Sequence, residues 1–115
     1  MAAFSEAHLA YLQGPAGLGR IATVGPDGMP HVTPVGWKVD PEAGVIEISG
    51  MNFATTKKFR DVARTGRAAI VIDDVRPPWR PRGIEIRGTA EAIDDGSPRI
   101  RIHPQRIVAW GLDEA

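Results

Sequence analysis

Glycine and proline punctuate this chain so densely that only short elements fit between them. Thirteen glycines and ten prolines fall along 115 residues. Proline lacks an N–H and fixes φ, and glycine loses much backbone entropy on folding, so neither suits the interior of a long element. The intervening pieces read as short strands. Arg20–Val24 is followed by Gly25-Pro-Asp-Gly28, a tight hairpin turn, and by a paired strand over His31–Val39. Asp40–Gly44 turns the chain into Val45–Ser49, which alternates cleanly. Arg67–Ile72 is nearly continuous in apolar residues and reads as a strand buried on both faces, with Asp73-Asp74 ending it. Ile84–Ile93 is a fifth strand, with Gly88 marking a bulge. After a turn over Asp94–Pro98, Arg99–Ile102 alternates, Pro104 breaks the run, and Arg106–Trp110 closes the sheet.

Three segments carry local signals of their own. Pro34 and Gly36 interrupt the second strand and suggest a bulge, or a place where something approaches the backbone closely. Gly14–Gly19 is a breaker. Val75–Gly83 (VRPPWRPRG) reads as a stiff loop, because three prolines remove donors; it carries Trp79 and three arginines. Two short helices complete the pattern. Phe4–Leu12 has Ser5 as its N-cap, and a second helix is capped by Thr55 or Thr56 and ends at Gly66. In that second helix Phe59, Val62 and Ala63 share one face. Six short strands and two short helices predict a mainly β fold, a small antiparallel barrel, as one domain over 1–115.

The second helix also concentrates charge. Between Ser49 and Ile72 stand Lys57, Lys58, Arg60, Arg64 and Arg67 against the single acid Asp61, in a chain of zero net charge. Lysines in a first turn oppose the helix dipole, which favours anions there. Their placement makes sense if amides, the Thr56 hydroxyl and the cations of Lys57, Lys58 and Arg60 converge on a phosphate. A solvated basic helix is the competing reading. The interrupted strand Thr33-Pro-Val-Gly-Trp37 offers backbone for a flat, hydrogen-bonding ring. Phosphate at one end and ring at the other describe a flavin-like cofactor, which would carry the hydride chemistry itself.

Other chemistries find little support. The chain has no cysteine, so disulfides, thiolate nucleophiles and cysteine metal sites are all excluded. His8, His31 and His103 lie on separate elements without ligand spacing, so no metal is expected. No G-x-S-x-G elbow is present. Gly17-Leu-Gly19 is too short and misplaced for a dinucleotide fingerprint. Zero net charge and few aromatics argue against nucleic-acid binding, despite Trp79 beside Arg80 and Arg82. No apolar run approaches a membrane span and no signal-peptide pattern opens the chain, so a cytoplasmic protein is expected.

The segments GRIATVGPDGMPHVTPVGW, VIEISG, TTKKFRDV with GRAAIVIDD, and RGIEIRGTAEAI resemble the pyridoxamine 5′-phosphate oxidase-like split β-barrel family. More closely, they are similar to its flavin/deazaflavin branch, often labelled coenzyme F420-dependent; the likeness runs from Phe4 to Leu112. The resemblance implies a six-stranded split barrel that dimerises, with cofactor sites between the subunits. It places phosphate binding on Lys57 and Lys58 with Thr56 and Arg60, ring binding on Thr33, Val35, Gly36 and Lys38, and the next strand end on Ser49 and Gly50. Two motifs of the vitamin B6 oxidases are missing: Gly83 stands where they have a flavin-contacting glutamine, and their C-terminal arginine–histidine motif has no match. The expectation is therefore an oxidoreductase using coenzyme F420, with FMN as the alternative, and reducing a small conjugated organic molecule. A carrier that binds the cofactor without turnover is the reading from another class. Trp37 and Trp79 are the candidate substrate contacts, and no catalytic residue is assigned.

Overall fold

A computed structural model describes residues 2–14 and 16–112. The chain runs α1 (Glu6–Gln13), β1 (Gly19–Val24), β2 (Pro30–Asp40), β3 (Val45–Ser49), a 3-10 turn (Phe53–Thr55), α2 (Lys57–Thr65), β4 (Arg67–Arg76), β5 (Arg80–Ile93) and β6 (Arg99–Trp110). The strands close a six-stranded barrel in the order β1-β2-β3-β6-β5-β4, and every neighbouring pair is antiparallel. It consists of two three-stranded meanders joined along β3–β6 and β1–β4.

Isoleucines fill the interior. Ile70 faces Ile86 and Ile72 faces Ile84 across β4–β5, while Ile46 faces Ile102 and Ile48 faces Ile100 across β3–β6. All eight are almost fully buried, with Ile21 of β1 beside them. A buried isoleucine contributes about 1.5–3 kcal/mol relative to exposure, and β-branched side chains pack well on a pleated surface. Period-2 alternation directs these residues inward, so the strand periodicity of the sequence is the architecture of the core.

The capping and turn residues act as their chemistry requires. Ser5 accepts from the His8 amide, and the His8 ring accepts from the Ser5 amide, forming a reciprocal box at the start of α1. Thr56, rather than Thr55, caps α2; Gly66 ends it in the left-handed region at φ 68°. Gly88 sits at a register shift opposite β6, as its place in the fifth strand predicted.

Several expectations from the sequence do not hold. Val75–Gly83 is not a loop: β4 and β5 extend through it to a tight turn around Pro77, Pro78 and Trp79, with Val75 opposite Pro81 and Asp73 opposite Gly83. β6 joins β5 only from Gly83 onward, so at Pro81 one side of β5 has no ladder to lose. Asp73 and Asp74 therefore lie inside β4 rather than ending it. Pro104 does not break β6 but lies opposite Gly88, where Gln105 is the extra, unmatched residue. Pro34 and Gly36 produce no register shift in β2. Pairing with β3 begins only at Gly36, which leaves one edge of β2 free at Pro34. β4 is buried on one face only: Ala68, Ile70 and Ile72 point inward, and Ala69 and Val71 are half-buried outside. Ala63 is exposed, so the buried face of α2 consists of Phe59, Asp61 and Val62. The breaker at Gly14–Gly19 is shorter than expected because Gly19 already belongs to β1; its Pro15 lies outside the described residues.

Candidate functional site

α2 lies across one end of the barrel, and its first turn is built around a buried acid. Asp61 is 3% exposed. Its carboxylate accepts from Thr23 Oγ1 at 2.9 Å and from Lys57 Nζ at 3.0 and 3.1 Å, and Arg64 lies 3.7 Å away. Burial alone would raise this carboxyl. The hydrogen bonds from Lys57 and Thr23, with the charges of Lys57 and Arg64, outweigh it and hold the group below the usual carboxylate range. Arg64 also donates to the Val24 carbonyl. One acid thus ties the helix to the end of β1 and fixes two of its cations. Sequence reading counted Asp61 only as a subtraction from local charge. The i, i+4 spacing from Lys57 and i+3 spacing to Arg64 were the available signals.

The other residues of the basic helix have defined places. Thr56 Oγ1 accepts from the Phe59 amide and donates to the Phe53 carbonyl. The Lys58 ammonium sits 5.5 Å from the centre of the Phe53 ring, and Arg60 donates to the Thr55 carbonyl at 2.7 Å. By helix geometry the amides of Lys57 and Lys58 have no intrahelical acceptor. Thr56, Lys57, Lys58 and Arg60 are therefore gathered at one helix end, though Lys57 shares its charge with Asp61. Adding a Cβ at Gly25 would bring it 2.8 Å from Lys57 Nζ, so the first hairpin passes close beneath this end.

β2 and β3 bring a second group together. Gly36 is paired with Ser49, Gly50 follows, and the chain then enters the turn that leads into α2. Gly36 has open space where a side chain would stand, so a flat group can reach its backbone there. The four β2 residues divide between two faces. Val35 is buried in the core and Thr33 points the same way, whereas Gly36 and Lys38 face outward. The Thr33 hydroxyl is buried without a partner among the described residues. Lys38 Nζ lies 3.6 Å from Glu47, whose carboxyl is held below its ordinary value, first by the hydrogen bond from Arg101.

The two candidate substrate contacts are far apart in character. Trp37 is packed against the core and donates from Nε1 to the Gly17 carbonyl at 3.1 Å. Trp79 is 75% exposed at the tip of the β4–β5 hairpin. Trp110, which had no role assigned from sequence, lies over Gly83: an added Cβ there would stand 2.6 Å from its ring. The space that a longer residue at position 83 would need is thus filled by indole. Among the described residues no group of three or more acidic or histidine side chains could hold a metal, and no helix is long and apolar enough to cross a membrane.

An antiparallel six-stranded barrel, made of two meanders with a basic helix across one end, defines a class of small split barrels. The chain belongs to the pyridoxamine 5′-phosphate oxidase family, whose sequence model matches residues 4–111. It is 43% identical over 121 residues to a 5a,11a-dehydrotetracycline/5a,11a-dehydrooxytetracycline reductase of Streptomyces rimosus, across 96% of this chain and 84% of the relative. Two solved structures show the same fold at lower identity. An FAD-binding protein from Mesorhizobium loti superposes with a TM-score of 0.72 at 14% identity, covering 92% of this chain and 94% of its own. An F420 reductase superposes with a TM-score of 0.68 at 20% identity, covering 91% and 98%.

Proposed function

We propose that this chain is an oxidoreductase that holds a flavin-type cofactor, coenzyme F420 in preference to FMN, and reduces a small conjugated organic molecule. The observation that carries the reading is the 43% identity, over nearly the whole chain, to a reductase of dehydrotetracyclines. Its geometric support is the junction of β2, β3 and α2. There the outward backbone of Gly36 and the Ser49–Gly50 strand end lead directly into a helix start bearing Thr56, Lys57, Lys58 and Arg60. Lys57, Lys58 and the first-turn amides would hold the phosphate, and the backbone from Thr33 to Gly36 with Lys38 would lie along the ring. When bound, such a cofactor supplies the hydride. The protein's part is to orient the ring, exclude water and hold the phosphate charge.

The reading includes a homodimer. Val32 is 59% exposed on the outside of β2, next in register to Ala22 of β1 and Ala69 of β4, so an apolar band crosses three strands. A second copy of the chain covering that band would place two sites between subunits. Trp37, through its Gly17 bond, would position β2, and Trp79 would reach substrate only from the hairpin tip.

The deciding experiment is titration of the purified protein with F420 and with FMN, followed by absorbance and fluorescence. The expected result is saturable binding with F420 the tighter, then oxidation of reduced F420 by an enone substrate. Binding of neither cofactor would overturn the proposal. Binding without turnover of any conjugated acceptor would favour the carrier reading.

A further inference from the structure

Beyond Ile72 the β4–β5 hairpin leaves the barrel as a two-stranded arm. β1 pairs with β4 only as far as Gly19 with Ile72, and β6 joins β5 only from Gly83. From Asp73 on β4 and up to Arg82 on β5, the arm therefore has only its own ladder. It lies outside the band of Ala22, Val32 and Ala69, so a second copy covering that band leaves it open. The tip carries charge that its own residues do not balance. Arg76 stands directly opposite Arg80, and like charges so placed destabilise a sheet. Arg80 is exposed, whereas Arg76 is half-buried, and its Nε is shielded from water with no partner among the described residues. A shielded cationic N–H without an acceptor is costly.

The nearest acids in the chain are committed elsewhere. Asp74 accepts from the Tyr11 hydroxyl at 2.7 Å and from Arg82 Nε and Nη2 at 2.8 and 3.0 Å, and Asp73 faces Arg20 at 3.0 Å. Among the described residues, neither Arg76 nor Arg80 has an ion pair. Beside Arg80, Trp79 is 75% exposed. Pro77 and Pro78 fix φ in the connecting turn, so the tip has little freedom to lose on binding. We infer that this tip binds a planar organic anion, with its ring on Trp79 and its carboxylate or comparable group shared by Arg76 and Arg80. The guanidinium fork matches a carboxylate, and an indole stacks on any flat ring. An anion held there offsets the repulsion between the arginines and supplies the acceptor that Arg76 Nε lacks. A bare inorganic anion would leave Trp79 uncovered, and a neutral ring would leave the cations unbalanced.

The test compares 2-naphthoate with 2-naphthamide, which share a shape and differ in charge, by calorimetric titration of the full chain. Naphthoate should bind roughly tenfold more tightly, the effect of one hydrogen bond to a charged group. Arg76→Gln and Arg80→Gln should each remove most of that preference. Arg67→Gln, at the other end of β4, makes the same change in net charge and should leave the preference intact. Trp79→Ala should weaken both ligands by a similar factor, roughly tenfold, and preserve their ratio. Unliganded Arg80→Gln should melt no lower than the parent protein, because removing one of two facing cations relieves repulsion; an arginine with a purely structural role would give a lower melting temperature. Naphthoate binding should persist at saturating FMN. Equal affinity for naphthamide, an equal loss in Arg67→Gln, unchanged binding in Trp79→Ala, a lower melting temperature for Arg80→Gln, or displacement by FMN would each overturn the inference. Because the probes need no cofactor, a failure of F420 and FMN to bind would be read separately from a failure of this site.

Discussion

Replacing Asp61 by asparagine isolates the group that docks α2 on the barrel. The side chain keeps its shape and loses its charge, and one buried oxygen acceptor becomes an NH2 donor. An asparagine side chain cannot serve Thr23 and Lys57 equally, since one of its two positions now presents hydrogen to a donor. The Lys57 and Arg64 side chains are 41% and 42% exposed, so both can return to water, and their ion pairs contribute little after screening. The main loss is the buried contact with Thr23 and the unmatched amide, about 2 kcal/mol. For a domain of this size that corresponds to a fall of roughly 8 °C in Tm. Thermal unfolding followed by circular dichroism should show this gap at pH 7. The pH dependence has a definite sign. The folded Asp61 carboxyl lies below its unfolded value, so its stabilisation is fully present above about pH 4 and disappears as pH falls through the folded value. The gap between parent and variant should therefore be constant from about pH 8 to 5 and close at more acidic pH. Equal stability at pH 7, or a gap that persists undiminished at pH 3, would refute the placement of a charged, buried Asp61 at this junction.

Lys57→Ala should weaken cofactor binding roughly ten- to a hundredfold in fluorescence titration while lowering Tm by less than Asp61→Asn does, because Asp61 keeps Thr23 and Arg64. Arg80→Ala, at the β4–β5 hairpin tip, is the control and should leave affinity unchanged; equal losses would mean that Lys57 acts only through the overall charge of the protein. Gly88→Ala would drive a Cβ into the His103 carbonyl oxygen, a backbone atom that cannot rotate away. It should cost about 3 kcal/mol in chemical denaturation, and parent-like stability would show that the β5–β6 bulge is not as described. Light scattering at micromolar concentration should give twice the chain mass, and a monomer that still binds cofactor would remove the shared-site reading.

Much of the barrel was legible because its signals are local. The Gly25–Gly28 and Asp40–Gly44 turns, the Thr56 cap, Gly66 and the Gly88 bulge each express a requirement of a few adjacent residues. Prolines misled where their effect depends on distant neighbours. Whether Pro34 or Pro81 breaks a ladder depends on where β3 and β6 begin to pair, and nothing adjacent in sequence records that. The same limit applied to the site. The cluster from Thr56 to Arg60 is contiguous and was visible. The burial of Asp61 depends on Thr23, which stands 38 positions away in sequence. Trp110 over Gly83 was unreadable for a similar reason, since the two meet only through the β5–β6 ladder.

The division of the barrel into two meanders has a kinetic consequence. Within each meander, pairing partners follow one another through short turns, so little loop entropy is lost in forming them. The seams are different: Ile46 meets Ile102 across 102 − 46 = 56 positions, and Gly19 meets Ile72 across 72 − 19 = 53. Closure must therefore wait for partners half a chain apart, and contacts of that range set the pace of folding in small β proteins. On the ribosome, β3 would remain an unpaired edge until β6 had emerged. In refolding, pulse-labelled hydrogen exchange should find the Ile70–Ile86 ladder protected before the Ile46–Ile102 ladder. Simultaneous protection of both would mean that the meanders do not form as separate units.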